Sequence, residues 1–470
     1  MKSLDSRFVK RSKKCASRLM TSDDLLLISH IDADGLTSAG IASTALDRAG
    51  IEHDTWFSKQ LDEEDLKRIV DQGYDTVLFT DFGSGLLDTI NDYDDFTPVV
   101  ADHHQPEGDC EYHLNPLLFD IDGSSEISGA GTTYVLARSL GGEKNKDLAS
   151  LAVVGAVGDM QDSREGRLTG ANEVIVQEGV EAGVLEPKRD ILLFGRQTRP
   201  LPKLLEYSTD VFIPGISNNE QGAVSFLKDL GIPLKNGETW RRWVDLTDGE
   251  KQTIISHLFQ RCIERGIPAE EIESLVGESY TLTQEEEGTE LRDATEFSTL
   301  LNSTARYRRA EVGFAVCKGD RGEALNEARK LLRNHRRNIR QGIDFVGNNG
   351  VTSLENIQYF DAGDKILDTI VGIIAGMSYS LDGVSRTKPI IAFANSEENK
   401  LDVEEAKVSS RGTQSLVRKG LNLAEVMAEC SKAVGGEGGG HNIAAGATIP
   451  RSKISQFVKE ADEMVGEQIS

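Results

Sequence analysis

Three short apolar runs near the start of the chain each stop on a cluster of acids or histidines. "LLLISH" leads into Asp32-Ala33-Asp34, "TVLFT" into Asp81, and "TPVVA" into Asp102-His103-His104. Each run is strand-length and rich in Leu, Val, Ile, Phe or Thr, with longer amphipathic stretches between. That alternation is the βαβ pattern of a parallel sheet and predicts an α/β domain. In such sheets ligands bind beyond the carboxyl ends of the strands. Those ends carry His30, Asp32, Asp34, Asp81, Asp102, His103 and His104. A further acid, Asp159 in "VVGAVGDMQD", ends another apolar, glycine-punctuated segment and is grouped with the strand ends.

Taken singly, each aspartate reads as a cap or turn residue. Taken together they repel one another, which costs stability unless something positive sits among them. Carboxylate oxygens mixed with imidazole nitrogens suit Mn²⁺ or Mg²⁺ better than calcium, and a strand-end carboxylate shared between two such ions is the arrangement of two-metal hydrolysis. In His103-His104, adjacent side chains of extended backbone point to opposite faces. One imidazole is therefore expected to bind metal and the other to serve the substrate.

At 470 residues the chain exceeds one ordinary core. Residues 1–189 read as the first α/β domain. Residues 190–318 hold "RPLPK", "PGISNNEQG" and "TQEEEGTE" among helical stretches and read as a helical insertion. Residues 319–344 have helical spacing and concentrate base at Arg329, Lys330, Arg333, Arg336, Arg337 and Arg340, as a connector helix. Residues 345–470 carry the apolar runs "KPIIAFAN" and "EAKVSS" before "GGEGGGHNIAAGATI", and read as a second α/β domain. Consecutive glycines let backbone amides approach a phosphate closely.

The net charge of −25 sits awkwardly with a phosphate-binding surface, which should be basic. A small substrate, locally concentrated base, or life at high internal salt each reconcile the two. The five cysteines are scattered with no CxxC pair, which argues for a reducing cytoplasm. The opening "MKSLDSRFVKRSKK" has no apolar h-region, and no stretch approaches the roughly 18–20 apolar residues of a spanning helix. A cytoplasmic protein with no membrane partner is expected.

"HIDADG", "FTDFG", "DHH" and "GDMQD" match in order the four motifs of the DHH phosphoesterase superfamily, and "GGEGGGHNIAAG" resembles the glycine-rich motif of its DHHA1 domain. "YHLNP" at 112–116, "SGAGTTYVLARSL" and "LNSTAR" resemble the RecJ-like branch, in particular archaeal RecJ-like nucleases. In the last of these Asn302 and Arg306 match an Asn-x-x-x-Arg motif, with Ala305 where the family has glycine. The resemblance implies an N-terminal DHH domain with a parallel sheet, a helical insertion, a basic connector helix and a C-terminal DHHA1 α/β domain. It implies two Mn²⁺ or Mg²⁺ ions, one on His30, Asp32 and Asp81, the other on Asp34, Asp81, His103 and Asp159. Asp81 would bridge them, and His104 would contact a phosphoryl oxygen. Substrate contacts are implied for Asn302, Arg306, Ser410, Arg411, Gly438, Gly439, Gly440 and His441. The implied activity is a 5′→3′ exonuclease on single-stranded DNA, releasing mononucleotides in replication or repair, with the replication factor GINS as partner. A phosphodiesterase of short oligoribonucleotides or cyclic dinucleotides stays open. So does a replisome scaffold like the Cdc45 group, which keeps the fold and loses metal ligands.

Overall fold

A computed structural model describes residues 4–59, 61, 63–208, 211–396 and 404–469. It divides into two units, Met1–Arg329 and Lys330–Ser470. The first begins with α1 (Ser6–Leu19), β1 (Leu25–His30), α2 (Ala33–Ala49), β2 (His53–Ser58), α3 (Glu63–Gln72), β3 (Thr76–Thr80), the short α4 (Leu87–Ile90), β4 (Thr97–Ala101) and β5 (Tyr112–Leu114). The five strands are all parallel, in the order β2-β1-β3-β4-β5. β3 is buried along its whole length and β1 along all but its last residue. Strands covered on both faces read as continuous apolar runs rather than alternating ones. Leu26, Ile28, Val77, Phe79 and Val100 close one face against Leu66 and Ile69 of α3. Strand order reverses between β1 and β3, and that reversal opens a crevice beyond the carboxyl ends of the strands. His30, Asp81 and Asp102 all fall at that edge.

Next come α5 (Gly129–Gly141), α6 (Ala149–Gly158) and α7 (Ala171–Glu181). α6 corrects the grouping of Asp159 with the strand ends, because Asp159 is the C-cap of this helix. A short apolar run cannot be assigned to strand or helix by periodicity alone. Here α6 packs on α2, α5 and α7, so it is apolar all round.

β6 (Leu185–Ile191) then leads through α8 (Leu201–Glu206), α9 (Glu220–Asp229), the hairpin β7 (Lys235–Asn236) and β8 (Thr239–Trp240), α10 (Asp248–Glu264) and α11 (Ala269–Glu273) to β9 (Val276–Leu282). β9 returns antiparallel along β6. This segment builds its own core around Trp243, whose indole N–H donates to Asp190 Oδ1 at 2.8 Å. It is mainly helical, with the β6–β9 ribbon at its base. α12 (Ala294–Arg306) and α13 (Ala310–Cys317) complete the unit, with α12 packed on α2 and α6.

The basic helix α14 runs Glu323–Asn349, and the division between the units falls within it. The second unit contains β10 (Thr352–Ser353), β11 (Gln358–Asp361), α15 (Val371–Met377), β12 (Ile390–Asn395), β13 (Glu405–Arg411), α16 (Gln414–Val417), α17 (Leu423–Ala433), β14 (Glu437–Gly440), β15 (Ala444–Pro450) and α18 (Ile454–Ile469). Its mixed sheet has the order β10-β11-β12-β13-β15-β14. β12 shows the period of two directly. Ile391 and Phe393 pack under α17 and α18, and Ile390, Ala392 and Ala394 pack under α15. Among the described residues no helix is long and apolar enough to cross a membrane.

Candidate metal centre

β1 ends on His30, and the next turn starts α2 with Asp32 as N-cap, its Oδ1 accepting from Gly35 N at 3.0 Å. Capping leaves Asp32 Oδ2 free to lie 3.1 Å from His30 Nδ1. Asp81 follows β3 in the left-handed region (φ 60°), a conformation that costs an aspartate of order 1 kcal/mol and is found where function demands it. Its carboxylate is buried, with Oδ2 at 3.6 Å from His30 Nδ1. Oδ1 has no hydrogen bond. The nearest cation-forming atom is His103 Nε2 at 3.4 Å, too poorly directed to serve as one. A buried carboxylate oxygen without a donor costs free energy unless a cation takes it.

His103 is buried and its Nδ1 meets the Gly123 carbonyl at 2.6 Å. That carbonyl fixes the ring proton on Nδ1 and turns the Nε2 lone pair toward Asp81 and Asp34, the outer arrangement usual for a metal-binding imidazole. Asp34, in the first turn of α2, is locked by the start of α5. Ser128 Oγ and Ala130 N donate to its Oδ1, and Gly129 N donates to Oδ2. Asp159 reaches in from the end of α6, its Oδ2 held by Gln161 Nε2 at 3.0 Å.

The site therefore contains three overlapping groups, and within each the potential ligand atoms lie within 4.8 Å of one another: His30, Asp32 and Asp81; Asp34, His103 and Asp159; and Asp81, Asp102, His103 and His104. The electrostatics show what the groups lack. Burial opposes charge on His30, but Asp32 and Asp81 outweigh it and carry the imidazolium up to about 11. Burial likewise opposes charge on His103, yet Asp81 and Asp34 push it well above its ordinary value. Asp81 also overcomes burial, through His103 and His30, and lies below the carboxylate range. Burial, with the Asp81 charge, pushes Asp34 well up, and burial raises Asp159 to about 6 against the pull of His103. The cluster draws protons onto both imidazoles, an electrostatic demand that divalent cations meet. A donor set of carboxylate and imidazole with an orphaned carboxylate oxygen fits Mn²⁺ or Mg²⁺.

His104 is the most exposed member of the third group, its ring 4.3 Å from that of His103 between centroids. Its Nδ1 lies 2.7 Å from Asp102 Oδ1, and its side chain is 56% exposed. The Asp102 bond raises its pKa and, with Nδ1 held on Asp102, leaves Nε2 for a substrate. Asp102 itself is fully buried, and its carboxylate accepts from its own loop and from Ser84 N. Asn302 and Arg306 arrive from α12. Asn302 Oδ1 accepts from Ala33 N at 3.0 Å at the start of α2, and the Arg306 guanidinium feels the Asp32 charge.

In the second unit the other expected residues gather at one end of the sheet. Arg411 faces Ala444 and Ser410 faces Ala445 across β13–β15, and Gly440 faces Ala445 from β14. His441 lies exposed in the turn beyond. Ser410 does not join a binding surface, being fully buried with its hydroxyl donating to the Ala445 carbonyl at 3.0 Å. A Cβ on Gly438 would press on Ala447 and one on Gly440 on Ala445, so packing alone requires glycine at both. A Cβ on Gly439 would meet nothing within 4 Å, so packing does not explain that glycine.

Sequence reasoning named Asp102 only as a strand-end acid and quoted Ser128, Gly129 and Gln161 only within motifs, without the holding roles that the fold gives them. Ser128 and Gly129 anchor Asp34, Gln161 holds Asp159, and Asp102 holds His104. A serine before glycine at a helix start is an N-cap signal, which made Ser128 findable. Gln161 lies within the quoted "GDMQD", but nothing in that pattern says that it holds Asp159.

Comparison with known proteins identifies the chain. The DHH-CID domain model matches residues 193–276, and the DHHA1 domain model matches residues 356–467. An uncharacterized protein of Methanocaldococcus jannaschii is 30% identical over 452 residues, 94% of this chain and 93% of that one. The chain belongs to the DHH/DHHA1 superfamily. Its fold is RecJ-like. RecJ of Thermus thermophilus, solved with Mn²⁺, superposes with a TM-score of 0.58 at 15% identity over 98% of this chain, which spans only 55% of that longer protein. The same RecJ has also been solved with Mg²⁺. CDC45 of Entamoeba histolytica superposes with a TM-score of 0.66 at 12% identity, covering 98% of this chain and 99% of that one. DHH/DHHA1 phosphoesterase architecture thus occurs in a nuclease and in a Cdc45 protein alike.

Proposed function

We propose that this DHH/DHHA1 protein is a divalent-metal-dependent exonuclease on single-stranded nucleic acid, with 5′→3′ removal of mononucleotides from DNA as its leading activity. The observation that carries the reading is the orphaned Asp81 carboxylate oxygen, buried among the imidazoles of His30 and His103 and the carboxylates of Asp32, Asp34 and Asp159. His30, Asp32 and Asp81 would hold one Mn²⁺ or Mg²⁺, and Asp34, Asp81, His103 and Asp159 a second. Bound there, such ions lower the pKa of water toward neutrality and offset charge on phosphoryl oxygens.

The chain's own residues do the rest. His104, oriented by Asp102, offers Nε2 to a phosphoryl oxygen and stabilises charge growing there. Asn302 and Arg306 place a cationic, hydrogen-bonding edge beside Asp32, where the next phosphate of a strand would be gripped. Arg411, Gly439 and His441 offer a phosphate cradle in the second unit, with Gly438 and Gly440 shaping the strand that carries it. Few aromatics flank these positions, so recognition rests on phosphates, with little sequence preference.

The test is digestion with Mn²⁺ of single-stranded DNA and RNA labelled separately at each end, with Asp81→Ala as control. Early mononucleotide release from the 5′ end of DNA, absent in the control, supports the reading. Cleavage confined to dinucleotides moves the protein to the small-substrate phosphodiesterases, the alternative that its charge of −25 favours. The scaffold alternative is favoured by the full-length superposition on CDC45. It becomes the leading reading if Mn²⁺ binds, no substrate turns over, and GINS is retained in a pull-down at physiological salt.

A further inference from the structure

The motif 112–116 carries two buried polar side chains that the proposed chemistry leaves without a task, His113 and Asn115. Both converge on Ser84, three residues beyond Asp81, and all three are fully buried. Ser84 Oγ lies 2.9 Å from His113 Nε2 and 2.9 Å from Asn115 Nδ2. Asn115 Oδ1 accepts from Leu117 N at 3.0 Å, which settles which way its amide points. Its Nδ2 then donates twice, to Ser84 Oγ and to the His104 carbonyl at 2.8 Å.

Only one proton arrangement satisfies every member. Asn115 donates to Ser84 Oγ, so the Ser84 hydroxyl proton goes to His113 Nε2. That leaves the His113 ring proton on Nδ1, facing Asp109 Oδ1 at 3.0 Å. Meanwhile Ser84 N donates to Asp102 Oδ2 at 3.0 Å, and Asp102 Oδ1 holds both the backbone N–H and the Nδ1 of His104. The loop bearing His104 is thus gripped from two sides, by the loop after β3 and by the strand end of β5.

We infer that Ser84, His113 and Asn115 are positioning residues for His104, acting through Asp102 and through the His104 carbonyl to fix the second imidazole with Nδ1 on Asp102 and Nε2 outward. The inference rests on the reading above that His104 meets the phosphoryl group. Their hydrogen bonds run to Asp102 and to the His104 carbonyl. Burial lowers the His113 pKa, in keeping with the neutral ring the arrangement needs.

The experiment is a double-mutant cycle on the full chain, with Asn115→Leu, Ser84→Ala and His104→Ala, reading kcat, KM and Mn²⁺ affinity on a labelled single strand. His104→Ala should lower kcat by about 10²–10³-fold, as loss of one transition-state donor does. Asn115→Leu and Ser84→Ala should each lower kcat by roughly 10–100-fold, the usual effect of losing an outer partner, with Mn²⁺ affinity unchanged. In the His104→Ala background the same changes should do nothing further to kcat. His113→Gln, which keeps a partner for Ser84, should restore what His113→Leu loses. Equal losses in both backgrounds, or a fall in Mn²⁺ affinity matching the fall in kcat, would overturn the inference in favour of a general structural role. A His104→Ala variant as fast as the parent, while Asp81→Ala is dead, would instead overturn the role given to His104. If the parent turns over no substrate, NMR of ¹⁵N-histidine-labelled protein decides. A single ordered His104 ring whose Nδ1–H is held on Asp102, lost in Asn115→Leu, supports the inference, and a ring equally ordered in both overturns it.

Discussion

Gly129→Ala tests whether Asp81 has the placement that the metal centre requires. Gly129 opens α5 and donates its N–H to Asp34 Oδ2 at 2.7 Å. An added Cβ would press on Asp81 Oδ1 and lie 2.7 Å from both Cβ and Cγ of Asp81. Ordinary carbon contacts are about 3.5–4.0 Å, so the carboxylate must retreat by roughly 1 Å. Helix propensity favours alanine over glycine by about 0.5–1 kcal/mol, while overpacking costs about 1–3 kcal/mol. The variant should therefore fold, with a net loss of no more than about 2.5 kcal/mol. A misplacement near 1 Å at a reacting centre costs on the order of 10²-fold in rate. The control is Gly249→Ala in α10, where an added Cβ meets nothing within 4 Å. Calorimetric Mn²⁺ titration and kcat on single-stranded DNA, with thermal unfolding alongside, give the answer. Weakened Mn²⁺ binding and a rate loss near 10²-fold in Gly129→Ala alone are expected. Parent-like Mn²⁺ affinity and turnover in a folded Gly129→Ala protein would refute the placement of Asp81 among the ligands.

Mn²⁺ should raise the unfolding temperature more at pH 8 than at pH 5. Asp159, with its folded pKa raised to about 6, favours the protonated fold, so its contribution is lost as pH rises from the ordinary carboxylate range through about 6. Mn²⁺ must also displace that proton, so its stabilising effect grows across the same window, and a pH-independent shift would count against Asp159 as a ligand. Asp293→Ala should destabilise the first unit by about 3–5 kcal/mol in urea, because it strands the Arg196 guanidinium, buried with only 6% of its side chain exposed. A loss below about 1 kcal/mol would show the Arg196–Asp293 pair to be dispensable. Gly439→Ala should leave stability and Mn²⁺ affinity unchanged, since it meets no neighbour, but raise KM. An unchanged KM removes Gly439 from the phosphate cradle.

The residues of the candidate site were legible in the sequence because parallel strands place them in register with the chain. Each apolar run ends on its chemistry, so His30, Asp81 and Asp102-His103 needed only the rule that such sheets bind at their carboxyl edge. The order of the strands was not legible, and it decides which acids share a site. Asp81 and Asp102 look alike in sequence, each the first residue past a buried strand. Asp81 alone sits at the β1/β3 reversal between the two imidazole ligands, with φ at 60° and a bare oxygen, whereas Asp102 turns back to its own loop. Ser410 was misread for a related reason. β13 lies inside its sheet between β12 and β15, and a serine there satisfies its hydroxyl on the neighbouring strand. The glycine cluster shows the same limit from the other side. Three consecutive glycines suggest one cradle, but Gly438 and Gly440 are fixed by contacts with Ala447 and Ala445 that only the folded register creates. Sequence locates chemistry that lies along one chain segment. It does not separate residues that act from residues that hold them when the holding contacts come from elsewhere in the fold, as Gly129 does for Asp34 and Asn115 for His104.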